Sequence, residues 1–167
     1  MTKPPRPARI NDDAVRSWLA VVRAYHQCSE LMARRLSTVG VRTAEHEILA
    51  NLRREPGLSQ QALARRCFTA KSHVSNLIGD MESRGWVKRE SDPADGRVKR
   101  LVLTPAGTHI AERAAAVQAE VVALMTDGVP RDELELVRAA MVEVSRRLES
   151  ALDPTASDVE WTVNSRS

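Results

Sequence analysis

The feature that most constrains this chain is a change of apolar period between Leu58 and Gly107. Val74, Leu77, Ile78 and Met81 recur at i, i+3, i+4 and i+7, the spacing of one buried helix face. Shortly after, Trp86–Glu90 and Val98–Leu103 read as two short strands joined by the turn-forming run Ser91–Arg97. A short helix beginning at Ser59 precedes them, with Leu58 and Leu63 spaced as a hydrophobic staple across its start. The reading predicts a fourth helix from about Ala70 to Arg84, capped by Thr69 and ended by Gly85.

Long helices flank this segment. Over residues 12–38, Val15, Trp18/Leu19, Val22, Tyr25/His26, Met32/Ala33 and Leu36 recur at intervals of three and four, with Asn11 or Asp12 as cap and Gly40 as stop. Thr43 is expected to cap a second helix carrying Ile48, Leu49 and Leu52 and stopped by Pro56-Gly57. Thr104-Pro105 supplies a cap and a first helical proline for a fifth helix lined by Ile110, Ala114, Val117, Val121 and Leu124. After the break at Asp127–Pro130, Leu134, Val137, Met141, Val144 and Leu148 form a coiled-coil-like seam in the last helix. The expected fold is mainly α with a small β-hairpin wing. Residues 11–152 read as a single domain between a disordered basic arm, 1–10, and a loose tail, 153–167.

Composition removes other classes. Aromatic residues make up 3% of the chain, so the core must be built from Leu, Val, Ala, Ile and Met, which favours packed helices. No apolar run approaches the roughly 18 residues that a membrane span requires. The Pro-rich N-terminus lacks the apolar stretch of a signal peptide, so a cytoplasmic protein is expected. Cys28 and Cys67 are too far apart in sequence for a metal or redox motif, which suits a reducing compartment. His26 and Cys28, two apart on a helix, point to nearly opposite sides, and no metal or cofactor is expected. No nucleophile, base and nucleotide-loop pattern argues for an enzyme.

The charge is unevenly spread. Ser59–Thr104 holds nine Lys/Arg against five acids, whereas Pro105–Leu152 holds five Arg against eight acids. A basic centre suits phosphate contact, although a modest excess of cations is also an ordinary solvated face. The helix face opposite Val74 and Met81 carries Lys71, Ser72, His73, Ser75 and Asn76 in its first two turns, where a helix in the major groove reads bases. Such residues also serve as caps and surface elsewhere, so the neighbouring short helix and hairpin decide the reading. At the hairpin tip, Arg97 can enter a minor groove with Asp95 orienting it, while Lys88, Arg89, Lys99 and Arg100 can meet phosphates.

Asp92-Pro93-x-Asp95-x-Arg97, followed by Leu101-x-Leu103-Thr104-x-x-Gly107, resembles the wing and fifth-helix start of the MarR family of winged-helix regulators. The resemblance covers roughly residues 12–150. It implies a winged helix-turn-helix over about 41–104, with helices 12–38 and 105–150 interlocking two subunits. It also implies major-groove reading by Ser72, Ser75 and Asn76 and minor-groove contact by Arg97 with Asp95. Cys67-Phe68 and Ala70 depart from the family's common residues, which leaves the helix start open by one position.

The expected function is therefore sequence-specific DNA binding by a homodimeric repressor acting on a palindromic operator. Small anionic or aromatic molecules bind many members of the family in a cleft beside the dimer helices. Trp18, Tyr25, His26, His46 and Arg53 are the candidates for such a cleft, each equally readable as a structural residue. Two alternatives stay open: thiol-based redox sensing through Cys28, and a DNA-binding protein that senses nothing.

Overall fold

A computed structural model describes residues 12–67, 69–92 and 99–152. The elements are α1 (Asp12–Ser37), α2 (Thr43–Arg54), α3 (Gln60–Arg66), α4 (Lys71–Ser83), β1 (Val87–Ser91), β2 (Lys99–Leu103), α5 (Pro105–Thr126) and α6 (Arg131–Leu152). The chain divides within α5 into two compact units, one ending at Ala123 and one beginning at Leu124. Among the described residues no helix is long and apolar enough to cross a membrane.

The first unit is built on one core. Ile48, Leu49 and Leu52 of α2, Leu63 of α3, Val74, Ile78 and Met81 of α4 and Leu101 of β2 are fully buried. Ile110, Ala111, Ala114 and Val117 add the inner face of α5. Small alanines alternate there with larger residues, which lets α5 pack closely. β1 and β2 pair antiparallel with Val87 opposite Leu103 and Arg89 opposite Leu101. Leu58 joins them through a bridge to Leu101, with Gly57 N–H donating to Leu101 O at 2.9 Å and Leu101 N–H to Leu58 O at 3.0 Å. The hairpin is thereby tied to the residues that begin α3.

Helix ends follow local chemistry, with two corrections to the sequence reading. Gly40 ends the α1 segment in the left-handed region (φ 74°), with Val41 N–H bonding Leu36 O at 3.1 Å and Gly40 N–H bonding Ser37 O at 3.0 Å. Gly85 ends α4 in the same way. Ser59 caps α3 by accepting from Ala62 N–H, and Thr104 caps α5 by accepting from Gly107 N–H at 3.0 Å. Thr43, however, is the first residue of α2 and not its cap. Arg42 holds that position, and the Glu45 carboxylate accepts from its backbone N–H at 2.8 Å. Likewise α4 starts at Lys71 behind Ala70, and no side chain caps it, Thr69 included.

The apolar stripe of α1 is only partly buried within the chain. Leu36 is buried and Met32 half-buried, but Trp18 and Tyr25 are 62% and 68% exposed. In the second unit, Val137, Met141, Val144 and Leu148 of the α6 seam are also exposed.

Candidate nucleic-acid interface

Two faces of α4 diverge as the periodicity predicts. Val74, Leu77, Ile78 and Met81 are buried, while Lys71, Ser72, His73 and Asn76 are exposed and Ser75 is half-buried. Because Ala70 offers no capping oxygen, the first-turn N–H groups of α4 lack a side-chain partner among the described residues. That end of a helix carries a partial positive charge and donors suited to an anion. Lys71 beside it has no ion-pair partner among the described residues.

His73 also lines a cleft of about 220 Å³ with Glu47, Cys67 and Thr69, between α2 and the start of α4. Burial raises the Glu47 carboxyl pKa. Burial and the Glu47 charge raise the Cys67 thiol, so Cys67 is a poor thiolate. Cys28 is half-buried on α1. Among the described residues no group of three or more His, Cys, Asp or Glu could hold a metal ion.

The described cations of the wing are engaged internally. Lys88 pairs with Glu90 at 2.7 Å, Arg89 with Glu82 at 3.2 Å, and Arg100 with Asp92. Lys99 Nζ donates to Ser91 Oγ at 2.9 Å, a weaker hold than a carboxylate. Asp95 and Arg97 lie outside the described residues.

Four of the five candidate ligand residues fall into two pairs, and the fifth, Trp18, is exposed on α1. Tyr25 and His26 meet edge to face on α1, with ring centroids 5.8 Å apart. On α2, His46 is buried and its Nδ1 has no hydrogen-bond partner among the described residues. Burial lowers its pKa, Gln118 of α5 opposes this by hydrogen bonding, and the Arg53 charge adds to the lowering. Among the described residues no ring contact, hydrogen bond or ion pair joins the two pairs. The sequence reading missed a third group, Glu45 with Arg42 and Arg84. Glu45 and Arg84 are 39 residues apart, and no local spacing announces them.

Known proteins resemble the chain in sequence and in fold. Residues 39–98 match the MarR family profile. The transcriptional regulator HosA of Escherichia coli O111:H- is 33% identical over 66 residues, which is 40% of this chain and 49% of HosA. The chain thus aligns with about half the length of that relative. AbsC, a MarR family transcriptional regulator from Streptomyces coelicolor, superposes with a TM-score of 0.77 at 23% identity, over 84% of this chain and 97% of AbsC. The transcriptional repressor CouR bound to a 23-mer DNA duplex matches with a TM-score of 0.68 at 23% identity, over 75% and 89% of the two chains. CouR from Rhodococcus jostii RHA1 bound to p-coumaroyl-CoA matches with a TM-score of 0.70 at 21% identity, over 75% and 88%. At these identities the likeness of the structures is one of fold.

Proposed function

We propose that the chain, whose residues 39–98 match the MarR family profile, is a cytoplasmic, homodimeric repressor of transcription. It reads a palindromic operator and leaves it when a small anionic or aromatic ligand binds. The observation that carries the reading is the divided surface of α4. The face carrying Val74, Leu77, Ile78 and Met81 is packed into the core, while Lys71, Ser72 and Asn76 stand exposed around an uncapped helix start. In this reading the first turn accepts a phosphate, Ser72, His73, Ser75 and Asn76 meet base edges, and Lys71 and Lys99 meet the backbone. Arg97, with Asp95 beside it, reaches the minor groove.

The homodimer is supported by the apolar surface left uncovered on α1 and α6, including Trp18, Tyr25, Val137 and Leu148. Effector release is supported by the fold shared with p-coumaroyl-CoA-bound CouR and by the unpartnered His46 Nδ1. Trp18, Tyr25, His26, His46 and Arg53 are its proposed ligand contacts.

The test is selection of bound duplexes from a random-sequence pool by the wild-type protein. The expected product is an inverted repeat with half-site centres about 10 bp apart, because two symmetry-related helices must enter successive major grooves. Recovery of unrelated sequences after repeated rounds contradicts the proposal, and so does sedimentation as a monomer at micromolar concentration.

A further inference from the structure

Glu45 lies in the first turn of α2 with no exposed surface. A buried carboxylate must be paired and hydrogen-bonded to remain charged. Its Oε1 accepts from Arg42 Nη2 at 2.7 Å, Arg42 Nε at 2.9 Å and Arg84 Nη1 at 3.0 Å. Arg84 directly follows α4. Its Nη2 donates to Gly40 O at 2.9 Å, and its guanidinium carbon sits 3.5 Å from the centroid of the Trp86 ring. Arg42 also donates to Asp80 of α4 at 3.2 Å. One side chain at the exit of α4 therefore touches the turn between α1 and α2, the first turn of α2, and the residue that begins the wing.

We propose that Arg84 is a positioning residue for DNA recognition: it sets the angle at which α4 is presented and thereby the half-site spacing the protein accepts. The inference rests on the DNA-binding function proposed above. The apolar contacts of Val74, Leu77, Ile78 and Met81 hold α4 on the core, but such contacts are non-directional. A guanidinium with a rigid fork, shared between Glu45 and Gly40 and stacked on Trp86, fixes orientation as well. Twelve residues separate Arg84 from Ser72, a span of about 18 Å along a helix. A rotation of about 10° at Arg84 then displaces the reading residues by about 3 Å, close to the rise of one base pair. Because Arg84 is bonded to the turn that leaves α1, the displacement is measured against the proposed dimer helix.

The test uses the full chain and the best palindrome recovered by wild-type selection, with derivatives whose spacer is one base pair shorter or longer, and a single half-site. Wild type is expected to prefer the optimal spacing by about tenfold over either derivative. Arg84→Gln should reduce that preference to about threefold or less while changing half-site affinity less than threefold. Arg84→Lys, which keeps the charge but cannot span both acceptors, should fall between them. Trp86→Leu removes the stacking while leaving Glu45 paired, and serves if Arg84→Gln does not fold. It too should blunt the spacing preference. A spacing preference unchanged in a folded variant overturns the proposal, as does an equal loss on every duplex including the half-site. Failure of the wild-type selection to give any palindrome instead removes the function on which it rests.

Discussion

A Cβ placed on Gly107 would lie 1.8 Å from the carbonyl oxygen of Trp86. The same carbonyl accepts from Thr104 N–H at 3.0 Å, and Thr104 Oγ1 donates to Gly85 O at 2.6 Å. The first turn of α5 is thus pressed against the junction between α4 and the wing. Backbone meets backbone there, so no side-chain movement can relieve the contact.

Gly107→Ala should therefore destabilise the protein by about 3 kcal/mol, a fall in Tm of roughly 10 °C. Thermal unfolding followed by circular dichroism measures this directly. A Tm within a degree or two of wild type would mean that α5 and the wing are less closely apposed than described.

Stability should fall as the pH drops below 6.5, and His46 should be one cause. Burial and the Arg53 charge lower its pKa from the ordinary 6.5. In that window the unfolded chain takes up a proton that the folded chain refuses, so stability is lost on acidification, by at most about 1.4 kcal/mol per pH unit for one group. His46→Gln removes the titration but keeps a polar side chain near Gln118. Urea unfolding at pH 7.5 and 5.5 should give a smaller pH difference for the variant than for wild type. Equal differences would assign the acid sensitivity to other groups.

Lys71→Ala should weaken binding to specific and scrambled duplexes alike, because the ammonium is exposed beside the α4 start and has no ion-pair partner among the described residues. Each lost phosphate contact should flatten the slope of log affinity against log salt by about one unit. A loss confined to the specific duplex, with the salt slope unchanged, would instead make Lys71 a base reader.

The helix-turn-helix was legible because its determinants are local. The apolar spacing of Val74, Leu77, Ile78 and Met81, the glycine stops at Gly40 and Gly85, and the Ser59 and Thr104 caps each declare themselves within a few residues. Thr43 and Thr69 misled because a hydroxyl near a helix start is only one way to satisfy its N–H groups. At α2 the buried Glu45 reaches back to the Arg42 N–H, and at α4 the place is left open. The wing cations were visible as charges, but pairing such as Arg89 with Glu82 depends on strand register and helix position, which spacing does not reveal. For the same reason Arg84 is, in the sequence, only one of the nine Lys/Arg between Ser59 and Thr104, while its bonds to Glu45 and Gly40 depend on the fold.

The central claim is that the exposed N-terminal face of α4 reads bases, and Asn76 tests it most directly. Its amide can offer a donor and an acceptor to one base edge, and its side chain is exposed, so truncation should leave the fold intact. The measurement is selection from one random pool by wild type and by Asn76→Ala in parallel. The account predicts the same inverted repeat from both, with preference relaxed at one symmetry-related position in the variant, a discrimination of about 1–3 kcal/mol lost there. A motif identical at every position in the two selections would contradict direct readout by α4.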